Sequence, residues 1–181
     1  MRALLPAMIV NRVQDIDLDG LYCDGVRGLL IDLDNTLVAW DRSCIGHEVA
    51  DWLEQAQARG FSVCFVSNGM PERVARFSAE MNIPAVGRAI KPRKTPFRRA
   101  LKLLGLTVDE CAVIGDQLFT DILGGNRMGM FTILINPLSD KELGSTRMVR
   151  RLERRVLKRL VRQGLLSEAS LEHRLKGRNG R

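Results

Sequence analysis

Two carboxylates, Asp32 and Asp34, stand two residues apart just after the apolar run Leu29, Leu30 and Ile31, and Asn35 and Thr36 follow at once. Residues 28–31 suit a buried strand and are too few for a normal helix. A carboxylate inside a buried strand is costly, so both acids belong at its C-terminal end, where open α/β sheets bind ligands. Residues two apart on an extended chain point the same way, so the pair can converge on one cation or one reacting group. Later apolar runs end in the same manner. Ser67 and Asn68 follow 61–66, Lys91 follows 84–90 and Asp116 follows 110–114. In a parallel sheet the strand C-termini line one edge, so these groups should share one crevice.

Three carboxylates without His or Cys among them favour a hard cation that prefers oxygen, and Mg²⁺ is the usual one in phosphate chemistry. The set suits phosphoryl transfer, which needs a nucleophile, an acid/base, charge neutralisation and positioning. Asp32 can attack phosphorus to give an aspartyl-phosphate. Asp34 can protonate the leaving oxygen and then take a proton from water. Ser67 can donate to a phosphoryl oxygen and Lys91 can stabilise transition-state charge. Thr36 can fix the loop or donate to phosphate, and Mg²⁺ would be held by Asp32, Asp116 and a backbone carbonyl. Lys91 is preferred to Lys94, Arg88 and Arg93 because it directly follows an apolar run and Pro92 restricts its backbone to an extended form.

The elements that must position these groups read as alternating strands and helices. Helical spacing runs over 46–59 through Val49, Trp52, Leu53 and Ala56, and further helices are expected over 71–81, 94–104 and 118–128, with a last strand over 130–135. This alternation predicts an α/β fold, a parallel sheet with helices on both faces. Residues 1–27 are expected to be an irregular lead-in, 28–146 the catalytic domain, and 147–181 a basic amphipathic helix and tail, part of that domain or packed on it. In the lead-in Asp15, Asp17, Asp19 and Gly20 imitate a calcium loop, but Val26 stands where its bidentate Glu is needed, so a turn is expected instead.

With 181 residues and 45% hydrophobic content the chain suits one soluble domain. Its apolar stretch at 3–10 is broken by Pro6, too short to span a membrane and unlike a signal peptide; a cytoplasmic protein is expected. Cys23, Cys44, Cys64 and Cys111 form no Cys-x-x-Cys pair, and His47 and His173 lie far apart, so reduced cysteines are expected and zinc is not. The net charge of +7 is concentrated in the tail: residues 1–146 hold 16 Lys and Arg against 18 Asp and Glu, whereas 147–162 hold eight basic residues and only Glu153. That pattern points to an anionic partner for the tail alone.

The run 32–37, Asp-Leu-Asp-Asn-Thr-Leu, resembles the first signature of the haloacid-dehalogenase (HAD) superfamily. The segment 65–68, Lys91 with Pro92, and 115–121 resemble the second, third and fourth. More narrowly, Asp-Asn-Thr-Leu-Val-x-Trp-Asp, the stretch from Gly115 to Arg127, and the Arg-rich tail around 150–155 are similar to the YqeG-type phosphatases of subclass IIIA. The resemblance implies a Rossmann-like HAD fold, Asp32 as nucleophile, Asp34 as acid/base, and Lys91 in catalysis. It implies phosphate contacts from Thr36, Ser67, Asn68 and Lys91, and a Mg²⁺ site drawing on Asp32, Asp34, Asp116 and Asp121, with Asp121 in the outer shell or anchoring Lys91.

Only 30 residues separate Thr36 from Ser67 and 23 separate Ser67 from Lys91. Both gaps are filled by the expected elements, so the site should be capless and open. Tail residues Val149, Leu152, Val156 and Leu160 follow helical spacing among arginines. Such a helix can pack on its own domain, lie peripherally on an anionic membrane through 147–162 at the inner membrane surface, or contact RNA, the last disfavoured because aromatics are absent there. YqeG relatives include phosphatidylglycerophosphate phosphatases of phospholipid synthesis. The expected function is thus a Mg²⁺-dependent phosphomonoesterase acting on a lipid phosphate. A phosphatase of soluble nucleotide or sugar phosphates and an RNA- or ribosome-associated assembly protein are the alternatives. The oligomeric state is not legible.

Overall fold

A computed structural model describes residues 2–139, 144–171 and 174. Six strands, β1 (Met8–Val10), β2 (Gly28–Ile31), β3 (Ser62–Val66), β4 (Ala85–Val86), β5 (Cys111–Gly115) and β6 (Phe131–Ile135), form one sheet in the order β1-β6-β5-β2-β3-β4. Every pairing is parallel. The expected α/β architecture is therefore present. The central strand, β2, is buried along its whole length, which is why it reads as a continuous apolar run and not as an alternation. Its successive side chains still serve opposite faces. Leu29 and Ile31 join Trp52 and Leu53 of α2 (His47–Ala58) and Phe77 of α3 (Pro71–Met81) on one side. Leu30 meets Phe97, Ala100 and Leu101 of α4 (Lys94–Leu104) on the other.

The lead-in is more ordered than expected. Met8–Val10 pairs with β6 in register, Ile9 opposite Leu134. Its three residues are only half-buried, and Pro6 and Asn11 bracket them, so the run carries too little periodicity to be recognised as an edge strand. The stretch that imitates a calcium loop is a helix start: Asp17 caps α1 (Leu18–Cys23) by accepting from the Gly20 amide at 3.0 Å. Between β5 and β6 the expected single helix divides. A π-helical segment, Leu118–Ile122, leads into α5 (Leu123–Met128), and such irregularity often marks functional sites.

The C-terminal helix α6 (Gly144–Arg162) packs on the domain, through a face rotated from the expected one. The sequence suggests a stripe through Val149, Leu152, Val156 and Leu160 with Met148, Leu157 and Val161 nearby; the buried line is Glu153, Leu157 and Leu160, Val156 and Val161 pack beside it, and Leu152 and Met148 are exposed. Leu157 lies with Leu118, Ile122 and Leu134, and Leu171 closes the same cluster. The rotation has a local cause: Glu153 is drawn inward by the Leu118 amide and Arg150. Apart from Arg174, the remainder of the expected tail, with His173 in it, lies outside the described residues. Among the described residues no helix is long and apolar enough to cross a membrane.

This packing predicts that Leu157→Ala lowers unfolding stability by about 2–5 kcal/mol, whereas Leu152→Ala changes it by about 0.5 kcal/mol or less. Urea midpoints of the two variants would reveal it. Equal losses would mean that α6 lies on its other stripe.

Candidate active site

The site is built where β2, β3, β5 and the segment after β4 end together. Asp32 follows β2 and is almost fully buried, held by its backbone amide to the Ile114 carbonyl at 2.9 Å. Lys91 arrives from the far side of β3. Its amide is fixed by the Asn68 side chain at 2.8 Å, and its ammonium donates to Asp32 Oδ1 and to the Val66 carbonyl, each at 2.6 Å. Asp121 Oδ1 lies 2.7 Å from the same nitrogen. An ammonium has three donors, so each has an oxygen within reach, at a side chain only 2% exposed.

Asp121 is brought under Lys91 by close approach. Gly115, at the end of β5, lies against the Asp121 side chain so tightly that a Cβ there would overlap it. The other Asp121 oxygen accepts from the Gln117 amide at 3.1 Å. Asp116 is completely buried. Thr36, from the loop after β2, has its hydroxyl 3.3 Å from Asp32 and 3.5 Å from Asp116, which ties the loop to both acids. Ser67 is buried with its hydroxyl accepting from the Gly69 amide at 3.0 Å. Asn68 is exposed apart from its bond to Lys91.

Oxygens of Asp32, Asp116 and Asp121, one from each, lie within 4.8 Å of one another. The Asp34 carboxylate is not one of the three. It stands at the rim, 30% exposed, and pairs with Arg73 Nε at 2.9 Å, and the same guanidinium also donates to the Arg42 and Ala39 carbonyls. Asp34 nevertheless faces the site, since a Cβ on Gly69 would lie 2.8 Å from its Oδ2 and 3.1 Å from the Ser67 hydroxyl. Of the residues expected from sequence, then, Asp32, Thr36, Lys91, Asp116 and Asp121 form one buried knot, Ser67 and Asp34 meet at its mouth, and Asn68 buttresses Lys91.

Four residues beyond the signatures complete the arrangement. Arg73 fixes Asp34. Arg150 of α6 pairs with the Asp116 carboxylate and donates to its carbonyl at 2.7 Å, and to Glu153 at 3.0 Å. Glu153 in turn accepts from the Leu118 amide at 2.6 Å. Arg174 donates to the Asp116 carbonyl at 2.7 Å, to the Ile135 carbonyl and to Asn136 at 3.1 Å. One signal was available in the sequence: Glu153 is the single acid among the eight basic residues of 147–162.

The electrostatics follow from this packing. Burial pushes Asp32 up to about 8, opposed by Lys91 and reinforced by Asp121 and Asp116. Burial likewise raises Asp116, against Arg150, and Glu153, against Arg150 and Arg174. Burial alone would lower Lys91, but Asp121 and Asp32 outweigh it and hold the ammonium charged. Arg174 falls to about 10, from burial first and the neighbouring Arg150 second. The buried knot sets four carboxylates, Asp32, Asp116, Asp121 and Glu153, against three cations, Lys91, Arg150 and Arg174. More carboxylates than cations, three of them pushed toward their neutral forms by burial, fit a site whose ionisation a hard divalent cation would complete.

A parallel sheet with this carboxylate and lysine constellation at its strand ends is an α/β fold with a site suited to phosphate chemistry. The family model described as HAD-hydrolase-like matches residues 89–137. The chain is 41% identical over 160 residues to the probable phosphatase YqeG of Bacillus subtilis (strain 168), covering 88% of this chain and 93% of that protein. It is 34% identical over 172 residues to phosphatidylglycerophosphate phosphatase 1, chloroplastic/mitochondrial, of Arabidopsis thaliana, covering 90% of this chain but spanning about half (49%) of the plant protein. An uncharacterized protein from Listeria monocytogenes serotype 4b shares the fold with a TM-score of 0.52 at 20% identity, over 65% of this chain and 85% of that one. The chain belongs to the HAD-like hydrolases, among the YqeG-type phosphatases.

The close approach at Gly115 gives a test that removes no charged group. Gly115→Ala should displace Asp121 from Lys91, cost about 1–3 kcal/mol of stability as overpacking does, and lower p-nitrophenyl phosphate turnover. A urea midpoint and an initial rate unchanged from wild type would show that the Asp121–Lys91 contact is dispensable.

Proposed function

We propose that the protein is a Mg²⁺-dependent phosphomonoester hydrolase working through an aspartyl-phosphate on Asp32, with a lipid phosphate of the phosphatidylglycerophosphate class as substrate. The observation that carries the chemistry is the convergence of the Asp32, Asp116 and Asp121 oxygens beside Lys91. The substrate phosphate enters at the mouth, between Asp34 and Ser67. Asp32, through the oxygen not held by Lys91, attacks phosphorus. The Asp32 oxygen–phosphorus bond forms as the ester oxygen–phosphorus bond breaks. Asp34 gives its proton to the departing alkoxide, then takes one from the water that attacks the acyl-phosphate. That second step breaks the bond to Asp32 and releases inorganic phosphate.

Lys91 acts mainly on the nucleophile: its charge favours ionised Asp32 against the burial that opposes it. Ser67 donates to a phosphoryl oxygen and Thr36 keeps the loop after β2 in place. Mg²⁺ held by Asp32, Asp116 and Asp121 would, when bound, offset the repulsion between phosphate and carboxylate and polarise the phosphoryl oxygens. Arg73 sets the direction of Asp34. Arg150 orients Asp116 so that its other oxygen stays turned toward Thr36 and the ligand cluster.

Two things support the lipid phosphate. The plant relative carries that activity in its name. The connections from β2 to β3 and from β3 to β4 contain only a loop with α2, and α3, so no inserted cap closes over the site and a headgroup presented at a surface can reach it. An anionic membrane is the corresponding partner, met through the basic 147–162 region.

Asp32→Asn should lower Mg²⁺-dependent phosphate release by on the order of 1000-fold or more, as loss of a nucleophile does, with an unchanged circular dichroism spectrum. Chelation with EDTA should remove wild-type activity, and added Mg²⁺ should restore it. Wild-type-like turnover by Asp32→Asn would overturn the mechanism. Phosphatidylglycerophosphate in anionic vesicles should be hydrolysed faster than p-nitrophenyl phosphate or a panel of nucleotide and sugar phosphates. The reverse order would remove the lipid assignment while leaving the chemistry.

A further inference from the structure

Nine large apolar side chains stand exposed among the described residues, and six of them lie at the edge that carries the active site. Trp40 follows β2, Met70 follows β3, Ile90 follows β4 and Leu138 follows β6. Met148 and Leu152 flank Arg150, which reaches Asp116, so the first half of α6 stands at the same edge. The other three, Tyr22, Leu103 and Leu165, belong to α1, the C-terminal end of α4 and the turn after α6, away from the strand ends. Apolar tips concentrated around one opening, on separate segments, are not the scatter expected of an ordinary surface.

Three of the tips are the most exposed of all: Met70 and Met148 at 66% and Ile90 at 59%. Ile90 is also held at φ 54°, in the left-handed region that a β-branched residue avoids. The fold thus maintains an isoleucine outward, next to Lys91, in a conformation that burial does not compensate. The fringe is basic. Among the described residues Arg42, Arg88 and Arg93 are exposed in the same strand-end loops, and Arg151 and Arg155 stand beside Met148 and Leu152, against Asp41 and Glu72 as exposed acids there.

We propose that this edge is a membrane-docking face: the six apolar tips enter the interfacial zone of an anionic bilayer, the arginines meet the headgroups, and the active site opens directly onto the lipid. Single tips interleaved with cations suit an interface of headgroups and acyl chains better than a protein partner, whose affinity concentrates in one desolvated cluster. With one aromatic on the edge, stacking on RNA bases has little to work with. The proposal rests on the lipid-phosphate reading for its purpose but not for its measurement. It also relocates membrane contact, from the length of the basic helix to the outer face of its first half together with four loops.

Trp40 is a built-in reporter, because the second tryptophan, Trp52, is 4% exposed in the core. Vesicles of phosphatidylglycerol and phosphatidylcholine should shift the wild-type emission to the blue, and the Trp40→Phe variant should show no shift. In co-flotation, the Met70→Ser/Met148→Ser variant should bind these vesicles about tenfold or more weakly, from the transfer cost of two exposed methionines, and Leu103→Ser should bind as wild type. Pure phosphatidylcholine or high salt should release the protein. Absence of both blue shift and flotation, undiminished binding by the double variant, or binding lost only when Lys158, Arg159 and Arg162 are changed would overturn it; so would salt-sensitive RNA binding without vesicle recruitment. Flotation needs no turnover. Docking without lipid hydrolysis would therefore sink the substrate reading alone, and hydrolysis in detergent micelles without docking would sink this proposal alone.

Discussion

The Lys91 ammonium sits among three oxygens, from Asp32, Asp121 and the Val66 carbonyl, at 2.6–2.7 Å and with almost no access to water. A buried charge in such a place is tolerable only because its donors all have partners. The reverse also holds: Asp32 and Asp121 are kept in the interior by the lysine. Removing either partner would strand a charge, so the ends of β2, β5 and the segment after β4 are bound into a single unit. Gly115, Asn68 and the Gln117 amide are consequences of that demand. Each clears space for, or fixes, one member of the pair.

The same accounting explains why the C-terminal helix is more than a cover. Three buried carboxylates beside one lysine leave Asp116 without compensation from the sheet. Arg150 and Arg174 provide it from residues 34 and 58 positions further along the chain. Glu153 then balances the two guanidiniums and caps the Leu118 amide at the start of the π-helical segment. Placing Glu153 inward sets the rotation of α6, and the rotation leaves Met148 and Leu152 outside. A single buried acid thus links the charge balance of the site to the surface that surrounds it.

Much of this was legible in the sequence because the relevant signals are local. A run of three apolar residues after Gly28, followed by acids, reads as a buried strand with its acidic end at the sheet edge, and the repetition of that pattern at Ser67, Lys91 and Asp116 orders the whole edge. The buried face of α2 follows from spacing alone, since Val49, Trp52, Leu53 and Ala56 all pack inward. What was not legible depends on partners distant in sequence. Met8–Val10 becomes a strand only because β6 offers an edge. The stripe of α6 was right at Val156 and Leu160 but not at Leu152, and only the position of Leu118 and Arg150 shows why Glu153 is inside. Arg73 reads as one more helix-surface arginine until the loop after β2 folds Asp34 onto it.

A parallel sheet without an inserted cap has a structural consequence for selectivity. The carboxylates lie where the strands end, and so do the loops that surround them, with only the first half of α6 reaching the same edge among the described residues. Trp40, Met70 and Ile90, on the loops that follow β2, β3 and β4, remain at the surface. Exposing them in water has a continuing cost that burial in a lid or a bilayer would recover. The chain contains no inserted lid among its described residues, and the basic side chains on the same rim would repel a cationic surface and attract an anionic one. In the proposed mechanism substrate choice thus falls to whatever surface the rim can approach, since Ser67, Thr36 and Lys91 beneath it would contact only the phosphoryl group itself.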